Sequence, residues 1–211
     1  MYKLIIFDFD GTIANTIDAG IPIFNDMARR HGFKELKDFN EVRNVNIKQF
    51  IKDHKISRIK FIFYLREFLK KLHNEIDKVK PYNGIEGIIR KLNRDYKLGI
   101  VSANSQENIK AFLELNDLKY YFDFVYNYPL FLGKSQVFKK IIKEKKLDKK
   151  DLIYVGDEDI DVYAAKKAGI DVIAVTWGMK NKSFLKTKNP TFIADKPEEI
   201  LLFLEKQGSI K

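Results

Sequence analysis

The sequence predicts an α/β fold: a parallel sheet interrupted, just after its first strand, by an all-helical insert. Three observations carry that expectation. The chain opens on Lys3-Leu4-Ile5-Ile6-Phe7, an apolar run of strand length ended by the turn chemistry of Asp8-Phe9-Asp10-Gly11-Thr12. A continuous rather than alternating run suits a strand buried on both faces of a parallel sheet. From residue 81 onward short apolar runs alternate with helical patterns, the signature of βαβ units. Between residues 13 and 80 the strand signals stop, and apolar residues recur at helical spacing.

Taken in order, the insert begins with a helix marked by Ile17, Ile21, Phe24 and Ala28 and ended by His31-Gly32. Short helical pieces are expected at 37–43 and 46–54. A longer one over 57–79 carries Ile62, Leu65, Leu69, Leu72, Ile76 and Val79 on one face, with Ser57 as its cap and Pro81 stopping the pattern. Next come a helix at 85–96, a strand at 98–101, a helix at 105–116 and a short strand near 124–126. Beyond these lie a helix at 135–146, a strand at 152–155, a short helix at 160–168 and a strand at 172–175. A small strand near 192–193 and a helix at 197–206 close the pattern. The expected organisation is an α/β core of residues 1–14 and 81–211 and a helical domain of residues 15–80.

The 211 residues suffice for one sizeable domain or a core with a smaller insert. The chain contains no cysteine, which excludes disulfides, zinc thiolate sites, thiol nucleophiles and iron–sulfur clusters. A reducing cytoplasm is the expected compartment. No apolar stretch approaches a membrane span, and the first residues lack the pattern of a signal peptide. The net charge of +10 attracts anions. Because the lysines are spread along amphipathic helices, the expectation is a solvated basic surface, with neither nucleic acid nor membrane as a partner. His31, His54 and His73 are scattered and read as structural or surface residues rather than metal ligands.

Ligands of open α/β sheets bind beyond the carboxyl ends of the strands, so the residues just past each strand are the informative ones. Asp8 and Asp10 project to the same side of an extended chain, and Gly11 lets the backbone turn sharply beside them. Like charges so close ask for a cation or proton between them, and oxygen-only ligands favour Mg²⁺. Ser102-Ala103-Asn104 comes after the second strand, Gly133-Lys134-Ser135 after the third, and Gly156-Asp157-Glu158-Asp159-Ile160-Asp161 after the fourth. Singly, each has an ordinary reading. Ser102 or Asn104 caps a helix with Glu107 completing the cap, Lys134 is a surface lysine, and the acidic runs favour helix N-termini. Together they supply a nucleophile, metal carboxylates, a hydroxyl donor and a fixed cation in consistent order.

These residues resemble the four motifs of the haloacid dehalogenase-like superfamily: D-x-D-G-T after the first strand, Ser102 after the second, Lys134 before a later helix, and G-D-x-x-x-D after the fourth. Val155-Gly156-Asp157-Glu158 with Ala164-Ala165-Lys166-Lys167-Ala168-Gly169, and Val175-Thr176-Trp177-Gly178, resemble its phosphoglycolate-phosphatase-like branch. The resemblance implies a Rossmann-like core with a helical cap that closes over the site. It also implies a Mg²⁺-dependent phosphatase acting on a small phosphate monoester, phosphoglycolate-like or a sugar phosphate, through an aspartyl phosphate. Carried over by residue, Asp8 is the nucleophile and Asp10 the acid–base. Asp8, the Asp10 carbonyl, Asp157 and Asp161 hold the metal, and Thr12, Ser102, Ala103, Asn104 and Lys134 bind phosphate.

Asp10 argues for phosphoryl transfer over dehalogenation, because a halide leaves without an acid. The resemblance fails only in the insert, and Asn15 stands where many relatives carry an acidic residue. A phosphomutase of the phosphoglucomutase type shares the chemistry. A signalling receiver domain has its phosphorylated Asp after the third strand, which this chain lacks. The net charge by itself would favour a nucleic-acid 3′-phosphatase or binding module.

Overall fold

The computed structural model describes residues 1–43, 45, 47–128 and 133–208. After β1 (Leu4–Phe7) the chain runs through α1 (Thr16–His31), a 3-10 turn at Phe39–Glu41, α2 (Ile47–Asp53), α3 (Arg58–Asn74) and a second 3-10 turn at Ile76–Lys78. Strands and helices then alternate: α4 (Ile85–Leu92), β2 (Lys97–Ser102), α5 (Gln106–Leu115), β3 (Phe124–Asn127), α6 (Lys134–Glu144) and β4 (Leu152–Gly156). The chain ends with α7 (Asp159–Ala168), β5 (Asp171–Val175), α8 (Lys182–Lys186), β6 (Phe192–Ala194) and α9 (Glu198–Lys206). The strands form one parallel sheet in the order β3-β2-β1-β4-β5-β6. Phe7 stands opposite Ile100 on one side and Val155 on the other, so the end of β1 lies where the strand order reverses.

Alternation along the strands divides the interior into two layers. Ile5, Phe7, Ile100, Ile153 and Val155 face a core closed by Ile89 of α4, Phe112 of α5 and Leu204 of α9. Leu4, Ile6, Val101, Tyr154 and Val172 face a second core with Phe138 of α6, Val162 of α7 and Leu185 of α8. The helices between β1 and β2 share the first core, through Ile23, Met27, Leu72 and Val79. Ala14 bridges Asp10 and Pro81, Asn15 N donates to Lys80 O at 2.9 Å, and Tyr82 N donates to Ile13 O at 3.0 Å. The two ends of the helical segment therefore leave the sheet side by side.

Three local expectations change. The first helix forms where expected but buries Thr16, Gly20, Ile23, Met27 and Ala28, leaving Ile17, Ile21 and Phe24 half-exposed. Its apolar arc is two stripes wide, and the pattern cannot say which stripe turns inward. The helix expected over 57–79 breaks at Glu75; Leu72, Ile76 and Val79 are buried, whereas Ile62 is 58% exposed. The piece expected at 37–43 is only the turn at Phe39–Glu41, and α8 was not foreseen. Residues 44 and 46 of the expected helical domain, the latter in the piece at 46–54, and residues 129–132 and 209–211 of the expected core lie outside the described residues. No helix among the described residues is long and apolar enough to cross a membrane.

Candidate active site

Asp8 is the first residue past β1. Its N–H donates to Val155 O at 2.8 Å, which fixes it in the crevice beside β4. Its Oδ1 accepts from Phe9 N at 2.8 Å and its Oδ2 from Lys134 Nζ at 2.7 Å. Lys134, at the start of α6, also donates to Asp161 Oδ1 at 2.5 Å. It is not a surface lysine: it is 5% exposed, with its ammonium over the rings of Tyr154 and Tyr128, 5.0 and 5.6 Å from their centroids. Burial alone would push the ammonium down, but the charges of Asp161 and Asp8 outweigh it and hold Lys134 well above its ordinary value.

Asp157 comes after β4 at the same level. Its Oδ2 accepts from Met179 N at 2.7 Å and its Oδ1 from Thr12 Oγ1 at 3.2 Å, so the Thr12 hydroxyl is already engaged by a carboxylate. Trp177 Nε1 donates to Thr12 O at 3.1 Å, tying the loop after β5 to the loop after β1. Two glycines make room for this approach. A Cβ at Gly11, whose φ is +72°, would lie 2.2 Å from Asp157 Oδ2, and one at Gly178 would lie 2.3 Å from it. Asp161 Oδ2 accepts from Glu158 N at 3.0 Å in a capping box, so Asp161 both caps α7 and meets Lys134.

One carboxylate oxygen each from Asp8, Asp157 and Asp161 lie within 4.8 Å of one another, the acidic cluster that could hold a metal among the described residues. Burial raises the carboxyls of Asp157, Glu158 and Asp161, and so do the neighbouring acids. Asp157, buried beside Glu158, Asp161 and Asp8, is held well above its ordinary value. Glu158, half-buried beside Asp161, is pushed up to about 7 by desolvation and by that charge. Asp161 is raised by burial to about 6 even though the Lys134 charge pulls the other way. One ammonium, paired with Asp8 and Asp161, therefore stands against three clustered carboxyl groups in a buried, all-oxygen donor set. That excess of negative charge fits a hard divalent cation.

The Asp10 carboxylate is turned away from this cluster. Its Oδ1 accepts from Asn104 Nδ2 at 2.9 Å and its Oδ2 from Ser102 Oγ at 3.3 Å. Burial and the charge of Asp8 raise it to about 6 against the hydrogen bonds from Asn104, Thr16 and Ser102. Neither Ser102 nor Asn104 caps α5; Ser105 does, accepting from Asn108 N at 3.1 Å. Asn104 Oδ1 accepts from Asn108 Nδ2 at 2.9 Å, and Asn108 Oδ1 meets His73 Nδ1 of α3 at 2.6 Å, so a polar chain runs from the insert to Asp10. Ala103 lies between them with its methyl against the second core.

Sequence reasoning missed the part played by the loop after β5. Thr176-Trp177-Gly178 was visible as a motif, but nothing in its composition says that it wraps Asp157. Arg43 and Lys180, which border the same loop, carry no motif at all. A cavity of about 580 Å³ against Tyr82, Trp177, Asp195 and Pro197 touches the margin of this region and is lined by none of Asp8, Asp10, Asp157 and Asp161.

Residues 5–175 match the model of the haloacid dehalogenase-like hydrolases. A phosphoglycolate phosphatase of Synechococcus elongatus is 28% identical over 202 residues, covering 94% of this chain and 95% of that protein. The pyrophosphatase PpaX of Bacillus anthracis is 26% identical over 213 residues, covering 95% of each. Among solved structures, a haloacid dehalogenase-like hydrolase of Streptococcus pneumoniae is similar with a TM-score of 0.84 at 20% identity, covering 96% of this chain and 98% of that one. The chain belongs to the haloacid dehalogenase-like hydrolase family. It is an enzyme, a hydrolase of phosphate esters.

Proposed function

We propose that the protein is a cytoplasmic, Mg²⁺-dependent phosphatase of a small phosphorylated metabolite, working through an aspartyl phosphate, with residues 15–80 as a cap over the site. The observation that carries this reading is the contrast between two carboxylates only two residues apart. Asp8 accepts from the Lys134 ammonium at 2.7 Å at the end of β1, a position that suits a nucleophile. Asp10 sits in a separate polar niche and is raised to about 6, nearer neutrality than an ordinary carboxyl, which suits a group that gives a proton to the leaving oxygen and takes one back as a base.

In this mechanism an Asp8 oxygen attacks phosphorus while Asp10 gives its proton to the departing alkoxide, so the leaving group departs as an alcohol. Asp10, now ionised, takes a proton from the water that attacks the aspartyl phosphate, releasing inorganic phosphate and restoring Asp8. Lys134, which donates to Asp8, and Ser102, which donates to Asp10, would oppose the charge on the phosphoryl oxygens. Asp8, Asp157, Asp161 and the Asp10 carbonyl are the groups that would hold Mg²⁺, which when bound screens Asp8 from the anionic substrate.

The test is phosphate release from a panel of phosphorylated metabolites, headed by 2-phosphoglycolate and pyrophosphate because of the named relatives, with and without Mg²⁺. Metal-dependent release that falls by roughly 10⁴-fold or more in Asp8→Asn is expected. Release without any added sugar bisphosphate separates a phosphatase from a mutase. Activity retained by Asp8→Asn would sink the proposal.

A further inference from the structure

The sequence spreads lysines along many helices, but the fold gathers them at one end of one layer. The helices over the first core mix their charges: Glu86 stands with Arg90 in α4, Glu107 and Glu114 with Lys110 in α5, and Glu205 with Lys206 in α9. Over the second core, α6 exposes Lys139, Lys140 and Lys143 against Glu144 alone, and α8 carries no acid. α7 keeps Asp159 and Asp161 in its first turn and carries Lys166 and Lys167 in its last. α6 and α7 pack side by side, and a 3-10 turn at Lys149–Asp151 leads from the end of α6 into β4. Lys145 and Lys146 past the end of α6, Lys149 and Lys150 in the turn, and Lys166 and Lys167 of α7 are all exposed. Among the described residues none of the six forms an ion pair.

A cavity of about 500 Å³ opens among these groups, against Lys149, Lys150, Lys166 and Thr191. The acid on its wall, Asp171, accepts from Tyr2 Oη and from Thr191 Oγ1, each at 2.9 Å, so both of its oxygens are engaged. Lys166 Nζ donates to Lys188 O at 2.7 Å, which anchors its stem. One turn back on α7, Tyr163 is 66% exposed, with the Lys167 ammonium 5.8 Å from its ring centroid. Helix dipoles favour a lysine at each helix end taken singly. Brought together, the like charges repel, and a polyanion that meets them relieves the repulsion and sheds its own counterions. Asp171 and Val172 of the cavity wall begin β5, whereas Asp8 and Asp157 follow the far ends of β1 and β4. The cavity and the carboxylate cluster therefore lie at opposite ends of the parallel strands.

We infer that this basic end of the second layer binds single-stranded nucleic acid, with Lys149, Lys150 and Lys166 along the phosphate backbone and Tyr163 stacked on a base. Lysines supply compact point charges that follow a backbone without reading its sequence. An anionic membrane fits less well. Interfacial binding sets apolar side chains among the cations, and among the described residues α6, the turn after it and α8 expose no large apolar side chain. Because the carboxylate cluster lies at the other end of the strands, the nucleic acid tethers the enzyme and is not its substrate. Such binding does not depend on the phosphatase reading.

The experiment is fluorescence anisotropy of a labelled oligouridylate of about 16 nucleotides, titrated with the whole chain between about 50 and about 200 mM salt. If about four phosphates are neutralised, affinity should fall roughly fiftyfold over that range. The triple variant Lys149→Gln, Lys150→Gln, Lys166→Gln should bind roughly tenfold or more weakly at about 50 mM salt and lose most of the salt dependence. A matched triple on the first layer, Lys91→Gln, Lys110→Gln, Lys206→Gln, has the same net charge and should bind nearly as wild type does. Tyr163→Ala changes no charge and should weaken binding about fivefold or more with the salt dependence kept. Unfolding midpoints check that each variant is folded. Equal weakening by the two triples would mean that net charge alone acts, and would overturn the inference. So would no binding at about 50 mM salt. Lysine-dependent binding to phosphatidylcholine–phosphatidylserine vesicles with none to the oligonucleotide would overturn it in favour of a membrane surface.

Discussion

The strand-end loops and the helical segment between β1 and β2 meet at one site but are specified in different ways. At the strand ends, the identity of each side chain is fixed by what it must touch: Asp8 and Asp161 share one ammonium, Asp157 fits between Gly11 and Gly178, and Asp10 has its own donors. In the helical segment most positions need only be apolar or polar, and α1 carries two apolar stripes of which one is buried. Reacting atoms constrain residue type at a point, whereas packing constrains it only on average. A substitution at a strand end should therefore act on charge and chemistry at once, and one in the helices should act by degrees.

Lys134→Met should produce the largest effect. It removes the ammonium from Asp8 and Asp161 while leaving both carboxyl groups buried. Breaking such a pair from one side costs about 3–5 kcal/mol of stability, and activity should be lost with it. Denaturant unfolding in the presence of a chelator reads the cost directly. Added Mg²⁺ should return part of it, because a divalent cation neutralises the same oxygens. A variant as stable as wild type in chelator would mean that the strand-end charges are less interdependent than their geometry implies.

The same contrast explains what could be read in the sequence. The sheet was legible because a parallel sheet buries both faces of its strands, so β1, β2, β4 and β5 appear as apolar runs. Asp8, Asp10, Ser102, Lys134, Asp157 and Asp161 were legible because each comes after a strand in a fixed order. The burial of Lys134 was not, since a lysine in a lysine-rich chain carries no mark of where it points. The break at Glu75 was hidden because Ile76 and Val79 continue a helical spacing that the backbone does not keep. Arg43 and Lys180 were hidden for a similar reason: they donate to Thr176 O and Val45 O, main-chain carbonyls, which any sequence offers.

An intermediate effect is expected at Asn108, where the two regions touch. Its amide links His73 of α3 to Asn104, which in turn holds Asp10 Oδ1. Asn108→Ala should loosen Asp10 without touching substrate, lowering kcat roughly tenfold with KM little changed, since small misplacements of a catalytic group are costly. A variant that changed KM alone would assign Asn108 to closure of the helical segment instead of to positioning Asp10.

The smallest effect lies entirely within the helices. His54 is 2% exposed and packs against Phe24 and Phe50 with its Nδ1 unpartnered. Burial first, and then the charge of Lys34, hold its imidazole below the ordinary 6.5, against weaker pulls from Glu41 and Asp53. The unfolded chain therefore binds this proton more readily than the folded one. Its contribution to stability is whole above pH 6.5 and is lost as the pH falls through that value toward the lower folded pKa. His54→Phe keeps an aromatic ring among aromatic neighbours and removes the proton site, so unfolding midpoints measured from about pH 7.5 down to about pH 5 should fall less steeply than in wild type. Parallel slopes would show that the imidazole takes up its proton equally well folded and unfolded. The helical segment would then contribute no pH dependence through His54, and the contrast with the charged strand ends would be sharper still.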